Sequence, residues 1–225
     1  MDSQNKEVTE YSANNGGVNN AGDNKSGKIN LPNKLTIFRI ILVPVFMVFI
    51  LIPVPNETWS KIFASALFLI ASLTDFVDGF LARKLNLITN FGKLMDPLAD
   101  KFLIVGSLIA ITGADSFANP PVFRVIIVWV TAVVFFRELA VTSLRLVANT
   151  ADGKVIAANF AAKLKTFSQC VCIMTILLEE IVLSRNLNTP PYLFSYITIA
   201  IMLILTGYSG FVYFKSYWGY INPAK

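Results

Sequence analysis

Six apolar runs, each long enough to cross a hydrocarbon core of about 30 Å, constrain this chain more than any other feature. They lie at roughly Leu35–Val54, Lys61–Ala82, Lys93–Thr112, Val122–Leu146, Val155–Leu183 and Tyr192–Tyr213. Segments that deep in lipid must satisfy their own backbone hydrogen bonds, so each run is predicted to be a helix. The composition agrees: 55% of the 225 residues are hydrophobic and 15% charged, with mean hydropathy +0.61, too apolar for a soluble domain of this length. The intervening "PVPNETWS", "RKLNLITNF", "GADSFANPP", "ANTADGK" and "SRNLNTPP" carry the Pro, Gly and Asn expected where helices break. No repeat at a solenoid period appears and no long linker divides the runs. The expected fold is therefore all-α: a polytopic membrane protein built as one six-transmembrane-helix bundle.

Charge gives the expected orientation. With the N-terminus inside, 16 of the 19 Lys and Arg fall on the inner side and only Lys61, Arg124 and Arg185 on the other, as the positive-inside bias requires. Both termini are then cytoplasmic. Residues 1–30 are a different material, polar and Asn-rich with "NNGGVNN" and no apolar periodicity, and are expected to be a disordered tail. The tail lacks the cationic start, apolar run and cleavage site of a secretory signal and is expected to be retained. The helical membrane domain is expected over 31–225.

The chain contains no histidine, which removes imidazole bases, Ser/His triads and His-liganded zinc. Cys170 and Cys172 lie within an apolar run and are expected to be packing residues. Acid, base or metal chemistry must come from carboxylates.

Four of them stand out in "LTDFVDGFLARKLNLITNFGKLMDPLADK" (73–101). Asp75, Asp78, Gly79, Ala82 and Arg83 are spaced i, i+3, i+4, i+7 and i+8 and share one helix face. Gly92, Asp96 and Asp100 recur every fourth residue on the next helix. A short connection makes the two helices antiparallel neighbours, with both acidic pairs at the cytoplasmic end and able to face each other. Four carboxylates that close cannot all stay ionised unaided. Divalent cations resolve the conflict, and an all-oxygen donor set favours Mg2+ or Mn2+, with ligands enough for two ions. Such a pair suits phosphoryl chemistry. Gly79 and Gly92 leave room for a bulky ligand at the backbone, and Arg83 offers a fork for a phosphate oxygen. A calcium EF-hand is excluded because its ligands alternate in a polar loop. An ion-conducting carboxylate cluster is the rival reading, although a cation path gains nothing from Arg83 beside its acids.

The run from Asp75 through Asp78-Gly79, Ala82-Arg83, Gly92 and Asp96 to Asp100 resembles the CDP-alcohol phosphatidyltransferase signature at every defined position. The resemblance covers about Leu31 to the C-terminus. It implies a multi-pass enzyme of the cell membrane that moves a phosphatidyl group from CDP-diacylglycerol to an alcohol and releases CMP, with its active site on the cytoplasmic side. It implies further that Asp75, Asp78, Asp96 and Asp100 bind two Mg2+ or Mn2+ ions and that Asp100 takes the proton of the attacking hydroxyl. Gly79, Ala82, Arg83 and Gly92 would contact CDP-diacylglycerol. The implied partners are membrane lipid and a second copy in a homodimer, with no nucleic acid.

The acceptor is expected to be phosphorylated, because later helices bring cations to the same end. Arg137 and Arg145 in "FFRELAVTSLRLVA", with Lys163 and Lys165 in "NFAAKLKTFSQ", look like a phosphate pocket. The bland alternative is that Arg137 pairs with Glu138 or snorkels to the surface. "RELAVTSLRL", "KLKT" and "LPNKLTIFRI" resemble the branch of the family that uses sn-glycerol 3-phosphate; acceptors such as serine, inositol phosphate or phosphatidylglycerol stay open. Asn33, Thr36 and Arg39 fall at i, i+3 and i+6 of the first helix and could border the site, or Arg39 could face phospholipid.

Overall fold

The computed structural model describes residues 31–52, 54, 56–84, 90–117, 120–152, 160–182 and 192–221. Among these the regular structure is entirely helical: α1 (Leu31–Leu51), α2 (Glu57–Lys84), α3 (Asn90–Gly113), a single 3-10 turn (Asp115–Phe117), α4 (Pro121–Asp152), α5 (Phe160–Val182) and α6 (Leu193–Ile221). The expectation of a disordered tail over 1–30 concerns residues outside the described set.

Each helix overlaps one apolar run, and two run well past the end of theirs. α4 continues to Asp152, past the expected limit near Leu146, and α6 continues to Ile221. Hydropathy marks where a helix is apolar, not where its hydrogen bonding stops, and "ANTAD" contains no residue that breaks a helix before Gly153. The shortest helix, α1, has 21 residues, about 31 Å at 1.5 Å per residue. Among the described residues three helices are both long and apolar enough to cross a membrane, over Lys34–Leu51, Pro121–Arg145 and Leu193–Trp218. α2, α3 and α5 are diluted by the acids and cations that concern the site. Large apolar side chains point outward, with Trp129, Phe136, Ile204 and Phe211 all about two-thirds exposed or more, as a lipid-facing surface requires.

α1 lies against both α2 and α3, which touch each other over a much smaller area; α4 packs on α3 and α6, and α5 on α6 and α2. Among the described residues α1 packs against both acidic helices, and Asp75 of α2 and Asp100 of α3 meet at one side chain of α1. Lipid tails are as apolar as Leu, so helix association relies on close packing rather than on escape from water. Phe46 and Phe68 meet at 5.9 Å between α1 and α2. At Gly106 a β-carbon would come within 3.2 Å of Val43, and at Gly113 within 3.3 Å of Leu51, so these two glycines set how closely α3 approaches α1. Cys170 and Cys172 are free thiols, and Cys172 is fully buried, in keeping with a packing role.

The other end of the bundle is fastened by polar contacts. Lys61 pairs with Glu180 at 2.9 Å and lies 5.5 Å above the Phe117 ring. The Tyr192 hydroxyl donates to Glu180, and its ring stacks on Phe123 at 4.0 Å. Glu179 accepts from the Phe194 and Ser195 amides, at 3.1 and 2.7 Å, and from the Ser195 hydroxyl at 2.6 Å. Those are unpaired donors of the α6 N-terminus, so Glu179 caps α6 from α5 and fixes the register of the two helices. Tyr192 holds φ at 64°, an unusual value for a bulky residue, directly before α6 begins.

Candidate active site

Arg39 on α1 has no exposed surface. Its Nη1 lies 2.5 Å from Asp75 Oδ1 on α2 and 2.9 Å from Asp100 Oδ1 on α3. One guanidinium nitrogen from α1 thus joins carboxylates that the sequence assigned to facing helices. The alternative that Arg39 faces phospholipid is overturned: a guanidinium buried in an apolar bundle needs anionic partners, and it has them. The carboxylate side chains themselves stay 35% and 44% exposed, so the dry side of the cluster is the arginine and the wet side is the acids. Thr36, one turn before Arg39, is buried as well.

The side chains of Asp78, Gly79, Ala82, Arg83, Gly92, Asp96 and Asn33 lie outside the described set, although all seven positions fall within α1, α2 or α3. Among the described residues no three carboxylates or thiols cluster tightly enough for a metal.

Beside Asp100 opens a cavity of about 170 Å3 walled by α3, α4, α5 and α6. Each wall presents one helical stripe: Pro97, Asp100, Lys101 and Ile104; Arg137, Glu138, Val141, Thr142 and Arg145; Ala162, Lys165, Thr166 and Gln169; and Tyr213. Of the predicted acceptor residues, Arg137, Arg145 and Lys165 line it, while Lys163 is exposed and does not. Lys101, Thr142, Gln169 and Tyr213 were not singled out from the sequence. Lys101 follows Asp100 directly, and its place beside a signature acid was the one available hint.

Glu138 organises the cationic wall. It accepts from Lys165 across the cavity and lies 3.4 Å from Arg137 Nη1, while Arg137 Nη2 donates to Ser209 on α6 at 2.7 Å. The pairing of Arg137 with Glu138 is thus present, as the bland reading held, but as part of a three-helix tie. At Gly210 a β-carbon would stand 3.7 Å from the Arg137 side chain, an ordinary contact. Nearer the mouth, Arg145 Nη2 donates to the Tyr213 hydroxyl at 2.6 Å with its guanidinium 4.9 Å from the ring centre. Tyr217 stacks nearly parallel to Tyr213, with ring centres 6.3 Å apart. The lining holds four cations, Lys101, Arg137, Arg145 and Lys165, against two carboxylates, Asp100 and Glu138. Asp100 is further offset by Arg39. The surplus is positive, and a doubly charged anion fits it.

The helical scaffold thus sets an acid pair tied by Arg39 beside a cationic cavity, an arrangement suited to phosphate chemistry. Residues 29–208 match the CDP-alcohol phosphatidyltransferase family, and the chain belongs to it. Among its relatives, the CDP-diacylglycerol--glycerol-3-phosphate 3-phosphatidyltransferase of Bacillus subtilis (strain 168) is 40% identical over 198 residues, covering 84% of this chain and 95% of that protein. The probable phosphatidylglycerophosphate synthase of Mycobacterium tuberculosis (strain ATCC 25618 / H37Rv) is 35% identical over 184 residues, 82% of this chain and 79% of its own. The Escherichia coli (strain K12) CDP-diacylglycerol--glycerol-3-phosphate 3-phosphatidyltransferase is 34% identical over 154 residues, 67% and 78% of the two chains.

Proposed function

We propose that this chain transfers the phosphatidyl group of CDP-diacylglycerol to sn-glycerol 3-phosphate, giving phosphatidylglycerophosphate and CMP. The observation that carries the reading is the juxtaposition of the Arg39-bound acids Asp75 and Asp100 with a cavity lined by four cations and two carboxylates. The names of the relatives supply the donor and the acceptor.

In this reading all six helices cross the cell membrane, residues 1–30 form a tail outside the catalytic unit 31–225, both termini are cytoplasmic, and two copies pair. The donor's acyl chains stay in the bilayer while its diphosphate reaches the acidic helix ends. Gly79, Ala82, Arg83 and Gly92 contact the CDP moiety. Asp75, Asp78, Asp96 and Asp100 hold two divalent cations, Mg2+ or Mn2+. The part-exposed Asp75 and Asp100 carboxylates fit that role, being oxygen donors held together at one nitrogen with a wet side left open. Such cations, when bound, neutralise the diphosphate and acidify a nearby hydroxyl.

Asp100 accepts the proton of the acceptor hydroxyl, whose oxygen attacks the phosphorus bearing the diacylglycerol; the bond to the bridging oxygen breaks and CMP leaves with that electron pair. Arg39 keeps Asp75 and Asp100 in register across three helices. Arg137 and Lys165 are drawn to Glu138, so Arg145, with Lys101 beside it, meets the acceptor phosphate. The test is CMP release by purified protein supplied with CDP-diacylglycerol and Mg2+ or Mn2+. Release is expected on adding glycerol 3-phosphate; release with serine or inositol phosphate and none with glycerol 3-phosphate refutes the acceptor.

A further inference from the structure

The cavity beside Asp100 has a mouth and a floor that its helices define. α3 and α5 run into it and α4 runs out of it, so Pro97, Ala162 and Arg145 lie at one end, the mouth, and Ile104, Gln169 and Arg137 at the other, the floor. Eight residues separate Arg145 from Arg137, about 12 Å along the helix. That depth exceeds what a phosphate needs alone. The volume, about 170 Å3, is roughly ten times what one water requires. Something longer than an inorganic anion, with a polar body behind its phosphate, fits.

The neutral polar groups of the wall are mostly engaged. Thr142 donates to the Glu138 carbonyl at 2.7 Å and accepts from Lys101; Thr166 donates to the Ala162 carbonyl at 3.2 Å; and the Tyr213 hydroxyl accepts from Arg145. Gln169 differs. The residue is 1% exposed, it lines the cavity one turn beyond Lys165, and its Nε2 has no hydrogen-bond partner among the described residues. A buried amide nitrogen without a partner is costly, and a bound ligand, water or ion is what completes such a group. Leu or Met would fill the same place in an apolar helix at no such cost.

We propose that Gln169 is a specificity-determining residue that hydrogen-bonds the non-reacting hydroxyl of a phosphorylated polyol acceptor. A carboxamide both donates and accepts, as a hydroxyl does, so the pair is complementary in either sense. The phosphate sits toward Arg145 and Lys101, the reacting hydroxyl faces Asp100, and the carboxamide reads the remaining hydroxyl. This rests on the acceptor reading above and adds to it why a three-carbon diol phosphate is preferred over a simple hydroxyalkyl phosphate.

The experiment measures CMP release by the full-length protein with CDP-diacylglycerol, using glycerol 3-phosphate and 3-hydroxypropyl phosphate, which lacks only the middle hydroxyl. The wild type is expected to favour glycerol 3-phosphate about tenfold or more in kcat/KM. Gln169→Met, of similar volume, should lower kcat/KM for glycerol 3-phosphate about tenfold, leave 3-hydroxypropyl phosphate unchanged within about twofold, and leave KM for CDP-diacylglycerol alone. Turnover of the deoxy acceptor reports that the variant is folded, and Gln169→Glu, which keeps an acceptor oxygen, covers the case where Met is not accommodated. Equal losses on both acceptors, or none on either, overturn the contact. Wild-type protein that uses neither acceptor but does use another alcohol overturns the function reading first, and is told apart by that pattern.

Discussion

Replacing Arg39 by Met removes a side chain that touches both Asp75 and Asp100 while roughly preserving its apolar stem. The cost is bounded from two sides. Breaking a fully buried ion pair costs about 3–5 kcal/mol, and breaking an exposed one about 0.2–1 kcal/mol. Here the guanidinium is dry but the two carboxylate side chains are 35% and 44% exposed, so water re-solvates much of what they lose. A loss of about 2 kcal/mol follows, which lowers Tm by roughly 4–8 °C in a domain of this size. Both contacts come from the same nitrogen, Nη1, so an ammonium can reproduce part of them and Arg39→Lys should lose less than Arg39→Met. A second readout tests the reasoning. If Asp75 and Asp100 bind divalent cations, millimolar Mn2+ should raise Tm of Arg39→Met more than that of the wild type, since the ion replaces the missing positive charge. The assay is thermal unfolding in detergent micelles with and without Mn2+, alongside CMP release. Wild-type Tm and wild-type turnover in Arg39→Met would refute the view that this guanidinium holds the acidic helices in register.

Asp100→Asn keeps an oxygen for Arg39 to bond but cannot take a proton, so turnover should fall about 10²–10⁴-fold with little change in Tm; unaltered turnover excludes Asp100 as the base. Arg145→Ala should raise KM for glycerol 3-phosphate about tenfold while leaving KM for CDP-diacylglycerol in place, and equal effects on both would place Arg145 outside the acceptor pocket. Glu179→Ala leaves the α6 amides of Phe194 and Ser195 uncapped and should cost about 1–3 kcal/mol of stability, measured by thermal unfolding, with turnover per folded molecule retained.

Much of the fold was legible because helix formation in an apolar run is local: every run found along the chain corresponds to one of the six helices. The stripe formed by Asp96 and Asp100, and that formed by Asp75 and Asp78, follow from the 3.6-residue repeat alone. What periodicity could not give is which helix lies against which. The short link between α2 and α3 placed their acids together, but that α1 packs on both was not legible; Gly106 and Gly113 admit it closely on α3, and Phe46 meets Phe68 on α2. Arg39 read as a border residue for the same reason: its partner Asp100 is 61 residues away, and only packing brings them together. Gln169 carried no signal at all, since one amide in an apolar helix looks like any other until its neighbours are known.

By itself, then, the sequence determined that this chain belongs in a membrane, that it is helical, and that the aspartates of α2 and α3 fall in stripes, because each of these depends on spacing within a segment. Tertiary structure alone decided that an arginine from the first helix ties two of the acids together, that Glu138 gathers Arg137 and Lys165 while Arg145 rests on Tyr213, and that a polar cavity opens beside Asp100. Those outcomes depend on close packing between helices far apart in sequence, and on the requirement that each charge buried there finds its partner on another helix.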